Sequence, residues 1–306
     1  MKTTPLISVI MGVYNQLDEQ ILSDAVNSIL CQTLPDFEFI IYDDGSCAEA
    51  AGLLKRIAAT DDRIVLIGHE ENKGLAFSLN ACIAKAQGKY IARMDADDIS
   101  YPERFARQVE FLVKNKEYAW CGTGAELFDS SGIWGKRIMP KAPEATDYLK
   151  YSPYIHPTVM YRAEIFNTNE GYLTSVDTLR CEDYEIFMRL RESGLRGANL
   201  DEALFAYRED ESSYAKRTFR HRWNEAKCRY RNFKALNLLW PKGWLFVLRP
   251  IVASLIPRKL IAFIKRKESG NKTGSENIVR YENRTSLFNQ PESILGEART
   301  VQRYTY

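Results

Sequence analysis

The sequence predicts an α/β fold with a mostly parallel central sheet flanked by helices. Three observations predict it. Short apolar runs alternate with amphipathic helical stretches throughout the first hundred residues, each early run closes in a polar turn, and 45% of the 306 residues are hydrophobic, ample for a core.

Leu6 to Met11 reads as the first strand and ends at Gly12-Val13-Tyr14-Asn15. Ile21, Leu22, Ala25, Val26, Ile29 and Leu30 then recur at helical spacing, predicting a helix over about 18 to 31. Phe37 to Tyr42 is a second strand, closed by Asp43-Asp44-Gly45-Ser46, and a helix is expected from Ala48 to Ala59. A strand at Ile64 to Ile67, the turn Asn72-Lys73-Gly74 and a helix from Leu75 to Ala86 follow. Tyr90 to Met94, apolar and preceded by Gly88, reads as a buried strand. Strands separated by helices imply parallel pairing through crossovers. The architecture suits nucleotides, but the chain carries neither the glycine-rich dinucleotide fingerprint after its first strand nor a P-loop sequence.

The fourth strand runs into Asp95-Ala96-Asp97-Asp98. On an extended chain, acids at i and i+2 point to one side, and the C-terminal edge of a parallel sheet is where such folds bind ligands. Oxygen ligands with no adjacent His or Cys suit Mg²⁺ or Mn²⁺ holding a diphosphate; the plainer alternative is an acidic loop leading into a helix. Ser100-Tyr101-Pro102-Glu103 has the spacing of a capping box and opens a helix running through Phe111 and Leu112. Asp43 and Asp44 can accept hydrogen bonds from a base or a ribose. Tyr14 can flank a base or be a half-buried core residue, and Lys73, beside an acidic metal site, can neutralise a phosphate.

Several of these segments, in order and spacing, resemble the family 2 glycosyltransferases of GT-A fold. They are Leu6 to Asn15, Asp43-Asp44-Gly45-Ser46, Asn72-Lys73-Gly74 and Asp95-Ala96-Asp97-Asp98. Cys121-Gly122, His156-Pro157-Thr158 and Cys181-Glu182-Asp183-Tyr184, ahead of Phe187-Met188-Arg189-Leu190, continue the likeness over about residues 5 to 210. The resemblance implies that Asp44 contacts a uridine, with Val13, Tyr14, Lys73, Asp95 and Ala96 along the nucleotide sugar. It implies that Asp95 and Asp97 hold the metal, with His156 a candidate beside the metal or diphosphate, and that Asp183 is the general base of an inverting single displacement. Glu182 and Asp183 stand at an expected helix start, where the dipole favours their ionised forms; Arg189 reads as a structural ion-pair partner.

The net charge of +2 conceals an asymmetry. From Tyr214 to Lys267 there are fifteen Lys and Arg against one acid, Glu225, interleaved with Trp223, Trp240, Trp244, Phe246 and Phe263. Trp244 to Ile264 is apolar, but Arg249, Pro250, Pro257, Arg258 and Lys259 interrupt it, against a membrane span. Amphipathic helices lying on an anionic membrane surface are expected; the alternatives are a helical cap on the catalytic domain or a nucleic-acid-binding surface. Residues from Glu268 onward are polar and lack periodicity. This divides the chain into a catalytic domain over 1–210 (nucleotide-sugar half about 1–100, acceptor half about 101–210), a basic segment over 211–267 and a tail over 268–306. The six scattered Cys have no zinc spacing and are expected as thiols of a cytosolic protein; Met1-Lys2-Thr3-Thr4-Pro5 leads directly into a strand, so no signal peptide is expected. The resemblance, together with the basic aromatic C-terminal segment, implies a peripheral enzyme expected on the inner face of a bacterial membrane. It would transfer a sugar, expected to be uridine-linked, to a saccharide on undecaprenyl diphosphate for O-antigen, capsule or exopolysaccharide. A sugar-phosphate nucleotidyltransferase and a non-catalytic nucleotide- or membrane-binding protein are the competing readings.

Overall fold

A computed structural model describes residues 4–209 and 218–253. The sheet begins with β1 (Ile7–Val13), β2 (Phe37–Asp44), β3 (Ile64–His69) and β4 (Tyr90–Arg93), separated by α1 (Glu19–Leu30), α2 (Ala48–Ala58) and α3 (Leu75–Lys85). These strands lie in the order β3-β2-β1-β4 with every pairing parallel, as the alternation predicts. Side chains alternate between the two faces of the pleat. Ile7, Val9, Met11 and Val13 pack with α1 and α2, while Ile10, Ile40 and Tyr42 pack with Leu79 of α3 on the other face.

Past β4 the sheet changes character. After β5 (Ile99–Ser100) and α4 (Arg104–Lys114) come β6 (Trp120–Asp129), β7 (Gly132–Arg137), β8 (Met160–Arg162), α5 (Glu182–Glu192) and β9 (Gly197–Arg208). The order continues β4-β8-β6-β9-β5, with β7 beside β6. Here only β6 and β9 are parallel; β4–β8, β6–β8, β6–β7 and β5–β9 are antiparallel. The sheet is mixed rather than mostly parallel, because only its first half is built from crossover helices. One continuous sheet spans residues 7–208.

The capping box expected at Ser100 does not form. Ser100 lies in β5, paired with Phe205, and α4 starts at Arg104 with no side-chain bond from its cap residue Glu103. Buried Gln32, just past α1, does the work instead: its Oε1 accepts from the Phe105 N–H at 3.1 Å, and its Nε2 donates to Ser100 Oγ (3.0 Å) and to the Tyr101 carbonyl (2.8 Å). One amide thereby ties the end of α1 to the segment that follows the acidic turn.

Two further helices, α6 (Phe219–Ala235) and α7 (Trp244–Ala253), follow. Cys228, Phe233 and Val247 belong to the same core as Phe187 of α5. Asn224 donates to the Val176 carbonyl at 2.7 Å, and Arg229 to that of Leu149 at 2.9 Å. The described part of the basic segment thus packs one face against the preceding α/β region, as the cap alternative expects for that face. Residues 254–306, including the end of the basic segment and the whole tail, lie outside the described residues. Among the described residues no helix is long and apolar enough to cross a membrane.

Gln32→Leu should leave the buried Phe105 N–H and Ser100 hydroxyl without their partner. A loss of about 1–3 kcal/mol per orphaned group is expected, read as a lower urea midpoint at unchanged slope; an unshifted midpoint would show that Gln32 does not hold this junction.

Candidate active site

Three strand-end turns interlock at the C-terminal edge of the parallel half. Asn15 after β1 takes a positive φ of 50°; its N–H donates to Ser46 Oγ at 2.9 Å, and its Oδ1 accepts from the Cys47 N–H at 2.7 Å. Gly45, at φ 71°, lies so near the following turn that a Cβ would fall 2.5 Å from the Glu71 carbonyl carbon. Asp44, 3% exposed, accepts from the Lys73 N–H with one carboxylate oxygen (2.9 Å) and from the Gly74 N–H with the other (2.8 Å). Asp44 is therefore a clamp on the 72–74 turn, and each oxygen keeps capacity for a further bond. Val13 is buried at the end of β1, Tyr14 beside it is 54% exposed, and the Lys73 ammonium stands over Phe77 and 3.3 Å from His69 Nε2.

The acidic stretch is a turn rather than an extended strand end, since β4 stops at Arg93. This turn brings a third carboxylate into the group that the i, i+2 reading missed. Oxygens of Asp95, Asp97 and Asp98 lie within 4.8 Å of one another. Asp98 is buried; its Oδ1 accepts from the Arg208 N–H at 2.8 Å, and its Oδ2 has no hydrogen-bond partner. Burial first, then the charges of Asp95 and Asp97, push its carboxyl well above the usual range. Ala96 is half-buried at the turn, and the Arg208 Nε donates to the Asp97 carbonyl at 3.0 Å.

Beneath the turn, buried Arg93 sets its Nη2 2.5 Å from Asp95 Oδ1, while its Nε and Nη1 have no hydrogen-bond partner. Burial works against its charge, but Asp95 outweighs it and the guanidinium sits above its ordinary value. Arg104, also buried, donates to the carbonyls of Arg93 and Pro157, and burial together with the Arg93 charge lowers it to about 9.

His156 is not part of the carboxylate group. Its Nε2 pairs with the Tyr172 hydroxyl at 2.8 Å, and burial followed by the Arg93 charge holds the ring well below its usual value, so it is neutral. Tyr172 is the junction that the sequence did not reveal. The Asn80 side chain accepts from its N–H (2.8 Å) and donates to its carbonyl (2.7 Å), and its hydroxyl meets that of Tyr161 at 3.3 Å. Burial pushes the Tyr172 phenol up to about 12, and the charges of Asp183 and Asp95 both add to that push. The two acids thus act on one hydroxyl from different elements.

Asp183 occupies the first turn of α5 and is half-buried. Its neighbour Glu182 departs from the dipole expectation: burial raises its carboxyl despite the backbone N–H groups that favour its charge. Arg189 is the ion-pair partner expected, 2.9 Å from Glu185, and also donates to the Glu170 and Gly171 carbonyls ahead of Tyr172.

The hard, all-oxygen donor set, with a buried carboxylate oxygen lacking a partner, fits a divalent cation of the Mg²⁺ or Mn²⁺ type. Asp98→Asn keeps an acceptor for the Arg208 N–H and removes the repelling charge. It should raise or preserve the melting temperature while weakening Mn²⁺ binding by about ten-fold or more, as loss of a contributing ligand does. Unchanged Mn²⁺ affinity in calorimetry would leave Asp98 a structural residue.

The sequence model of Glycosyl transferase family 2 matches residues 8–169, which include both acidic turns and His156 but stop short of Asp183. "Putative glycosyltransferase EpsE" of Bacillus subtilis (strain 168) is 38% identical over 283 residues, covering 92% of this chain and 100% of that protein. The O-antigen biosynthesis glycosyltransferase WbnJ of Escherichia coli is 32% identical over 215 residues, 68% of this chain and 81% of its own. The crystal structure of S. aureus TarS 1-349 in complex with UDP-GlcNAc superposes with a TM-score of 0.62 at 17% identity, covering 85% of this chain and 79% of that one, and so shares the fold.

Proposed function

The chain belongs to glycosyltransferase family 2, and on that premise we propose that it moves a sugar from a uridine diphosphate donor to a saccharide carried on a lipid, undecaprenyl diphosphate. The setting is the assembly of bacterial surface polysaccharide at the inner face of the membrane. The observation that carries this reading is the convergence of Asp95, Asp97 and Asp98 in one turn that follows β4. The O-antigen role in WbnJ's name supports the polysaccharide setting, and the UDP-GlcNAc complex of TarS supports a UDP-sugar.

In this reading Asp44 presents its remaining acceptor capacity to the uracil N–H while holding the 72–74 turn, with Val13 and Tyr14 beside the base. Lys73 and Ala96 lie along the sugar diphosphate. Asp95, Asp97 and Asp98 would hold Mn²⁺ or Mg²⁺, which supplies Lewis-acid neutralisation of the leaving diphosphate when bound. Asp183 takes the proton of the acceptor hydroxyl as that oxygen attacks the sugar C1 in a single inverting displacement. Asp183 is taken as the base from the family resemblance of Cys181-Glu182-Asp183-Tyr184, which stands at the start of α5.

Asp183→Asn keeps the shape and removes the basicity, so donor binding should persist while turnover falls about 10²–10⁴-fold. Glu182→Gln should cost less. Near-normal turnover in Asp183→Asn, with loss in Glu182→Gln, would move the base to Glu182. With Asp44 reading the base, UDP should compete for the donor site far better than GDP; better competition by GDP would remove Asp44 from uracil recognition.

A further inference from the structure

The outward side of the two C-terminal helices is a continuous apolar and aromatic surface with a basic edge. On α7, Trp244, Leu245, Leu248 and Val252 are 46%, 71%, 50% and 57% exposed, while Val247 on the opposite side is buried. The adjoining Trp240 is 83% exposed. On α6, Phe219, Trp223 and Tyr230 share one edge at helical spacing, 61%, 47% and 39% exposed. The Tyr230 ring meets that of Trp244 at 5.4 Å, which joins the two helices into one patch. Lys227, Arg231 and Lys234 run along the neighbouring edge of α6, all exposed. The acid within these helices, Glu225, is half-buried and paired with Arg229 at 3.1 Å, and Lys227 pairs with Asp177 at 3.2 Å, so the positive charge of this edge is carried by Arg231 and Lys234. Val176, 61% exposed, extends the patch onto the turn fastened to α6 by Asn224, a few residues before Asp183.

We propose that this face docks on an anionic bilayer, with Leu245, Leu248, Trp244 and Trp240 entering the headgroup boundary and Arg231 and Lys234 meeting anionic headgroups. The inference rests on the reading above, since it names the surface from which a lipid-borne acceptor would be presented beside α5. Charge complementarity selects the occupant: an apolar centre with aromatic members and a cationic edge suits the layered chemistry of the membrane interface. Tryptophan and tyrosine are stable there because one end of each ring system is apolar and the other polar.

The test is flotation of the full chain with vesicles of phosphatidylglycerol in phosphatidylcholine, and with phosphatidylcholine alone. Binding should require the anionic lipid and weaken as salt rises. Leu245→Glu with Leu248→Glu should abolish flotation, and Arg231→Glu with Lys234→Glu should weaken it about ten-fold or more. Both pairs should leave turnover on a soluble saccharide acceptor unchanged, which also reports that they fold. If the leucine pair fails to fold, the arginine–lysine pair still decides. Absence of wild-type flotation, or variants that float like wild type, overturns the proposal. So does binding of an RNA oligonucleotide that the basic-edge pair abolishes while vesicles are ignored. A protein that floats yet transfers nothing from UDP-sugars would leave the docking face standing and overturn the functional reading alone.

Discussion

The constraint on which the site depends is the gathering of three carboxylates in one turn. Two unit charges about 4 Å apart repel by about 4 kcal/mol at the effective dielectric near a protein surface. Left to itself, the turn at 95–98 would open. It is held from several directions: Arg93 of β4 pairs with Asp95, and the last residue of β9, Arg208, donates from its backbone to Asp98 and from its side chain to the Asp97 carbonyl. The β5–β9 pairing and Gln32 anchor the chain immediately after it. The strained charge distribution is thus supported by elements from both halves of the sheet, and the antiparallel half is what brings β9 to the turn.

The turns around Asp44 follow a different principle. There, backbone N–H groups, an amide, a hydroxyl and the Asp44 carboxylate knit three turns together around Asn15, Gly45 and Asp44. Asp44 satisfies two backbone N–H groups that would otherwise lack partners, so its carboxylate is fixed before any ligand arrives. A fixed acceptor loses little freedom on binding, which is the physical content of preorganisation.

The parallel half was legible in the sequence because its information is local: each strand, turn and helix is written in a contiguous pattern, and the observed boundaries fall close to the expected ones. The second half was not, because the β6–β9 and β4–β8 pairings join segments far apart in sequence that carry no crossover pattern. Asp98 was in plain view beside Asp97, yet an extended chain would have pointed it away; only the turn returns it to the group. Tyr172 had no local signal at all, since its role comes from Asn80, 92 residues earlier, and from His156. At Glu182, burial outweighs the backbone N–H groups that favour its charge, a contest that charge pattern alone does not resolve.

The C-terminal helices illustrate why a choice between cap and surface was too narrow. The buried residues of α6, among them Cys228 and Phe233, share a core with Phe187 and Leu190 of α5, the helix that starts with Glu182 and Asp183. Its other side exposes aromatic and basic residues. A helix with both properties cannot be assigned from composition, because packing one face leaves the other to be decided by what remains outside. Here the inward face fixes where α6 lies against α5, and therefore also fixes where the outward face lies relative to Asp183. The geometry that stabilises the helix carrying Asp183 is the same geometry that orients the exposed surface.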